Sequence, residues 1–454
     1  MSENKKLFGF SMQEQQALFA KLNKNPNSKA LVRSGACEVY KAPKAYVDFS
    51  QFPAFRQLEI ESKVAEQAGI MNPFFLCHEG IAKATTRIDG QEYLNFSTYD
   101  YLDLNGHSEI EDAAVEAMRH WGTSASASRL VSGERPPHRA LEKTIATLYG
   151  VEDAIVYVSG HATNVSTIGS LFGPQDIIFH DSLSHNSIVQ GAMASRAERI
   201  SFPHNDMKAL ERLLREHRPR AQRALIVTEG VFSMDGNIAD LPELVKLKKA
   251  WGAFLMVDEA HALGVLGQHG RGSAEYFGID PKEIDIWMGT LSKTCCGCGG
   301  YIAASSELIR LLKFTSPGFV YSVGMSPVLA AASRCALQIM QREPWRIAKL
   351  TQISQQFVQM AKQRGLNTGR AQGHAIVPII LGSSLLTGKV ASRLFKRHVN
   401  VMPIIYPVVQ EGEARLRFFL SAAHNTEHIE KALDILMQEL PLAEQEVAKV
   451  AQTK

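Results

Sequence analysis

The 454-residue chain contains no apolar run near the ~20 residues that a membrane-crossing helix needs. Its first ten residues, MSENKKLFGF, carry lysines but no apolar h-region and no small-residue cleavage site. Secretion is therefore not indicated, and a cytoplasmic location is expected. Charge of one sign is also scarce, because the net charge of +3 is too small for nucleic-acid binding by charge alone. Only six cysteines occur: Cys37, Cys77, Cys295, Cys296, Cys298 and Cys335. A disulfide framework is not expected in a chain of this length without a signal peptide. Three of the six crowd into a C-C-x-C cluster, yet adjacent thiols rarely converge on one tetrahedral ion and no second pair stands at zinc spacing. No metal site is expected. Internal repeats and low-complexity tracts are absent as well. What is present is ordinary for a folded globular enzyme: 45% apolar and 21% charged residues, and length enough for two domains.

Residues 1–50 read as an N-terminal extension with a short helix. In SMQEQQALFAKL, Ser11 and Glu14 form a capping box, and Leu18, Phe19 and Leu22 share one helical face. NKNPNSKA then breaks the helix. It either packs on its own body or docks a partner. An N-terminal segment at 51–104 follows, then a large domain at 105–341 and a small α+β domain at 342–454. The last carries Ile429, Leu433, Leu436 and Leu440 as one helical stripe. In the large domain short apolar strands (DAIVYVSG, DIIFHD, RALIVTEG, AFLMVDEA, IDIWMG) alternate with helical stretches such as DMKALERLLREH and LPELVKLKKAWG. Near-continuous apolar runs without period-two alternation are strands covered on both faces. The fold class is α/β, a mainly parallel central sheet with helices on both faces.

Ligands in such sheets sit at the carboxyl ends of the strands. Polar residues of this chain collect there: Ser159-Gly160-His161, His180-Asp181, Thr228-Glu229, Asp258-Glu259 and Thr290. Lys293 follows the strand IDIWMGTL, and Asp258, with His261 three residues on, ends AFLMVDEAH. An acid at that place can simply cap a helix. Together with a lysine on a neighbouring strand end it suits pyridoxal 5'-phosphate. The lysine forms a Schiff base with the aldehyde, and the carboxylate keeps the pyridine nitrogen protonated so that the ring accepts electrons. YVSGHATN supplies a strand, a Gly turn and a helix N-terminus for the phosphate, and Thr290 adds a hydroxyl.

From about Asn95 to His424 these segments resemble the α-oxoamine synthases. NFSTYDYLDL, SRLVSGERPPHRALE, SGHATN, HDSLSHNSI, TEGVFSMDG, VDEAHALGVLGQHGRGSAEYFG, GTLSKTCCGCGGYIA and ARLRFFLSAAHN all fall in family order. EAHALGVLGQHGRGSAEYFGIDP and GGYI are most similar to the serine palmitoyltransferase catalytic subunit and to synthase domains of polyketide assembly lines.

The resemblance implies a fold-type I pyridoxal phosphate enzyme and a role for each residue. Lys293 carries the cofactor and later moves the α-proton, and Asp258 pairs with the pyridinium. His261 and Ser233 bond the phenolic oxygen, and His185 stacks on the ring and meets the substrate. Gly160 and His161 hold phosphate through backbone groups, with Thr290. Ser322 reaches the phosphate across a homodimer interface, although YSVG lacks the second serine of the family motif. Arg417 clamps the amino-acid carboxylate, with Arg415 as the alternative. Tyr99 stands where many members have Asn, a form closer to the sphingolipid-type enzymes. His161 replaces a family Phe or Tyr, and Cys295, Cys296 and Cys298 replace a Gly/Ala/Ser-rich stretch that must stay thin beside the lysine.

The implied reaction is a decarboxylative condensation of a small L-amino acid with an acyl thioester, giving an α-amino ketone, carbon dioxide and free thiol. The acyl carrier is an acyl carrier protein or coenzyme A, with a lean toward a carrier protein in secondary metabolism. The alternatives are a pyridoxal phosphate aminotransferase and a non-catalytic partner subunit of a synthase.

Overall fold

A computed structural model describes residues 41–452. The expected Ser11–Leu22 helix and Cys37 lie outside the described residues. The chain divides into two compact units: one comprises the residues up to Cys77, Ile379–Leu416 and those from Asp434 onward, the other His78–Pro378 and Arg417–Leu433. Helix Pro327–Arg342 runs across the boundary expected after residue 341, and residues 342–378 stay with the second unit. Among the described residues no helix is long and apolar enough to cross a membrane.

The second unit is built on a seven-stranded sheet. A hairpin of β1 (Thr85–Ile88) and β2 (Gln91–Asn95) precedes it. The sheet strands are β3 (Asp153–Tyr157), β4 (Ile177–Asp181), β5 (Glu198–Phe202), β6 (Ala224–Glu229), β7 (Phe254–Asp258), β8 (Ile286–Thr290) and β9 (Gly300–Ala304). Their order is β3-β9-β8-β7-β6-β4-β5. The pairs β4–β5, β4–β6, β6–β7 and β7–β8 are parallel, and β9 lies antiparallel to both β3 and β8. Every residue of β4, β6, β8 and β9 is buried, as expected for strands with a covering layer on each face. One of those layers joins Ile155, Ile178, Leu225, Met256 and Ile302 of the sheet to Ile168, Ile188, Ala192, Ile309 and Leu312 of helices.

The helices carry their own start signals. Ser159 caps Gly160–Leu171 by accepting from the Ala162 N–H, and Asp240 caps Leu241–Trp251 by accepting from the Glu243 N–H. In the first unit, strands Ile376–Gly382, Ala414–Phe419 and Met402–Ile404 pair in that order into a small sheet lying largely within it. The last helix, Thr426–Gln452, continues through Pro441 beyond the stripe that ends at Leu440.

Candidate active site

The carboxyl ends of β3, β4, β6, β7 and β8 assemble the site, because the register brings their last residues level. Glu229 pairs with Asp258, Asp258 with Met288, and Thr290 and Tyr157 both with Gly300. The segment after β8 returns as β9 through a tight loop in which Leu291 N–H donates to Gly299 O and Gly297 N–H to Leu291 O. The backbone passes close to its neighbours at the glycines here. A Cβ on Gly300 would collide with Thr163 Oγ1 and the Gly160 Cα, and one on Gly160 would come within 2.9 Å of Thr290 Oγ1. Gly299 has φ 143°, which side-chain-bearing residues rarely adopt.

Lys293 sits on this loop. Its Nζ lies 5.9 Å from the centre of the Tyr99 ring, within cation–π range. Burial lowers its pKa to about 8, against the opposing pull of the Asp258 and Glu229 carboxylates, and the Arg417 charge lowers it further. Asp258 is buried, and each of its oxygens has one hydrogen bond: Oδ2 accepts from Asn164 Nδ2 at 2.8 Å, and Oδ1 from the Ala260 N–H at 2.9 Å. Among the described residues no cation lies within ion-pairing distance of it. A buried carboxylate with two neutral donors and no counterion is costly, and a bound cationic N–H would relieve it. A protonated pyridine nitrogen is such a group, so the donor set fits the cofactor expected from the strand ends.

The other expected residues gather around the same edge. His261 is buried, its Nδ1 is 2.6 Å from the Tyr101 hydroxyl, and its ring lies parallel to Phe419 at 6.4 Å. Burial holds its pKa well below the usual histidine value. His185 is the N-cap of helix Asn186–Ser195, and its own N–H donates to Glu229 Oε1 at 2.6 Å. Its pKa is lowered first by burial, partly countered by Asp258, and further by Lys293 and His161. His161 is exposed at the second position of helix Gly160–Leu171. Thr290 Oγ1 lies 2.8 Å from Ser292 Oγ and 3.0 Å from Gly299 O.

Arg417 Nη1 donates to Ser233 O at 3.2 Å, and its guanidinium covers the Phe419 ring at 4.6 Å. Phe419 also meets Tyr99 edge-on at 5.6 Å. Arg415, the alternative to Arg417, is buried with Nε donating to Glu413 O. Ser322 is half-buried between Tyr321 and Val323, which are both exposed.

Four residues of the site carry no role in the sequence reading. Asn164 and Ser187 hydrogen-bond each other beside Asp258, Tyr101 holds His261, and Asp100 accepts from Cys296 Sγ at 3.4 Å. Glu229, noted among the strand-end polar residues, is also buried, and burial next to Asp258 raises its pKa well above that of an ordinary carboxylate. Asn164 was within reach of sequence reasoning, since it lies one helical turn after Gly160 and shares that face.

Comparison with known proteins identifies the family. Residues 91–436 match the family model described as aminotransferase class I and II. The 8-amino-7-oxononanoate synthase of Geobacter sulfurreducens is 43% identical over 76% of this chain and 88% of its own length. This chain belongs to the α-oxoamine synthase family. Among solved structures of the family, the Sphingomonas wittichii serine palmitoyltransferase superposes with a TM-score of 0.83 at 27% identity, covering 87% of this chain and 99% of that one. A serine palmitoyltransferase structure described as holding the pyridoxal phosphate internal aldimine superposes equally well, with a TM-score of 0.83 at 26% identity over 88% of this chain and 99% of that one. The fold expectation holds: a fold-type I architecture with a mostly parallel seven-stranded sheet and a smaller C-terminal sheet. The synthase with 43% identity carries a different name from the enzyme whose motifs looked nearest in the sequence, so sequence and structure point to two members of one family.

Proposed function

We propose that this protein condenses a small L-amino acid with an acyl thioester, using pyridoxal 5'-phosphate, and releases an α-amino ketone, carbon dioxide and free thiol. The single observation that carries the reading is the pairing on one sheet edge of a buried, counterion-free carboxylate, Asp258, with a lysine whose pKa is lowered to about 8. When bound, the cofactor supplies an aldehyde for covalent attachment and a protonated ring that accepts electrons. Lys293 would be the residue that holds the cofactor, and its amine would serve as the general base that moves the α-proton. A neutral amine is needed for each of these acts, and burial makes one accessible near neutral pH.

Asp258 would keep the cofactor's ring nitrogen protonated, and His261 and Ser233 would supply hydrogen bonds to its phenolic oxygen. Since His261 Nδ1 is engaged with Tyr101, its Nε2 would be the atom that serves. His185 would stack on the ring. Gly160 and His161 N–H groups and the Thr290 hydroxyl bind the phosphate, where the absence of a Cβ at 160 leaves space. Arg417 takes the amino-acid carboxylate, and the Ser233 carbonyl and Phe419 ring aim its guanidinium. Tyr99 lines the substrate side of Lys293.

The working unit in this proposal is a cytoplasmic homodimer. Tyr321 and Val323, 87% and 49% exposed, bring Ser322 to a surface that a second copy covers, so that Ser322 reaches the partner's phosphate site. Incubation with cofactor, one amino acid and one acyl thioester tests the reaction. Equal amounts of carbon dioxide and free thiol are expected. Conversion of a keto acid with neither product would instead show an aminotransferase. Acyl-coenzyme A and acyl-carrier forms of one acyl group, assayed side by side, assign the carrier.

A further inference from the structure

An unbroken line of hydrogen bonds joins the Asp258 carboxylate to the His185 ring. Asn164 Nδ2 lies 2.8 Å from Asp258 Oδ2 and 2.9 Å from Ser187 Oγ, and Ser187 Oγ lies 2.7 Å from His185 Nδ1. Asn164 and Ser187 are each 1% exposed, so water does not intervene in the middle of the line.

The direction of every bond follows from its first member. An ionised carboxylate only accepts, so Asn164 must turn its amide nitrogen, not its oxygen, toward Asp258. The second hydrogen of that nitrogen then goes to Ser187 Oγ. Ser187 has one hydroxyl hydrogen, and it is left for His185 Nδ1. The Ser187 backbone N–H also points at Nδ1, at 3.3 Å. Two donors converge on one ring nitrogen, which must therefore carry no hydrogen. Burial lowers the His185 pKa, which keeps the ring neutral at pH 7.5. A neutral imidazole with a bare Nδ1 has its hydrogen on Nε2. Nε2 has no hydrogen-bond partner among the described residues, and the residue as a whole is exposed.

We propose that Asn164 and Ser187 are positioning residues that lock His185 in the Nε2–H tautomer, so that it always offers a hydrogen-bond donor to an oxygen of the substrate. The use of that donor rests on the function proposed above. The tautomer itself does not, because it follows from the hydrogen bonds among the four side chains alone.

The test is the protonation pattern of His185 in cofactor-free protein labelled with ¹⁵N-histidine. It is read by solid-state NMR at pH 7.5 and assigned with His185→Gln. The expected result is a protonated Nε2 and an unprotonated Nδ1. A hydrogen on Nδ1, or on both nitrogens, overturns the proposal. In Ser187→Ala the hydroxyl bond is lost while the backbone N–H at 3.3 Å stays, so a measurable share of the Nδ1–H tautomer is expected, with kcat in the loaded enzyme down about tenfold. A pure Nε2–H ring in that variant overturns the role of Ser187. If Ser187→Ala does not fold, the wild-type spectrum decides alone. A protein with the expected tautomer but no thiol release would contradict the proposed function and leave this inference standing.

Discussion

At the scale of single residues, two physical facts set the chemistry: a lysine that gives up its proton early and a carboxylate that lacks a counterion. With its pKa lowered to about 8, only about a tenth of Lys293 is neutral at pH 7, against about nine-tenths at pH 9. The rate at which cofactor-free protein takes up pyridoxal phosphate should therefore rise about tenfold over that range and level off above it. Stopped-flow absorbance checks this, and a flat profile from pH 7 to 9 would contradict the assigned pKa. The sign for stability is the same. The unfolded chain holds this proton up to a pKa of 10.5, so between about 8 and 10.5 the unfolded state binds more protons and folding gains as pH rises.

Asp258→Asn removes the charge that keeps the ring nitrogen protonated, and kcat should drop by about a hundredfold or more, while the amide's similar shape preserves folding. Steady-state kinetics with a thermal melt as control separates the two effects. Arg417→Ala should raise the amino-acid KM by about ten- to a hundredfold and leave the acyl-thioester KM within about twofold, since a charge-assisted carboxylate contact is lost.

At the scale of elements, the turns decide what the strands can deliver. The loop from β8 to β9 stays thin at Gly297, Gly299 and Gly300, and the three cysteines differ sharply within it. Cys295 is fully buried and burial pushes its thiol up to about 12. Cys296 adopts a left-handed φ of 51° and donates its thiol hydrogen to Asp100, which ties the lysine loop to the loop bearing Tyr99 and Tyr101. Cys298 and Cys77 are exposed. An alkylating reagent at pH 7.5 should therefore modify Cys298 and Cys77 well before Cys295 and Cys296, as peptide mass spectrometry would show; early labelling of Cys295 would contradict the packing.

Strands read well from the sequence where both faces are covered. DIIFHD, RALIVTEG and AFLMVDEA became β4, β6 and β7 within a residue or two. β5 was missed because it is an edge strand whose Glu198, Arg199 and Ser201 are exposed, which leaves no apolar run to see. β9 was missed because it opens on the glycines that the site requires. The site divides in the same way. Lys293, Asp258 and Thr290 were legible because strand ends announce themselves. Ser187 was not, and Asn164 showed only its place one helical turn after Gly160, because its partner Asp258 lies 94 residues away along the chain.

At the scale of the whole molecule, an α/β unit of about three hundred residues supplies the sheet edge, and the chain as a whole matches a serine palmitoyltransferase structure over 87% of its own length and 99% of that chain. The relatives of this chain carry two different synthase names, 8-amino-7-oxononanoate synthase and serine palmitoyltransferase, on one kind of scaffold. The account stands or falls on Lys293 meeting the same ring that Asp258 holds. Reducing the cofactor-loaded protein with borohydride, digesting it and mapping the pyridoxyl group by mass spectrometry tests that directly. The account predicts one modified peptide, with the group on Lys293 and none in Lys293→Ala; a group on another lysine, or no trapped group at all, would contradict it.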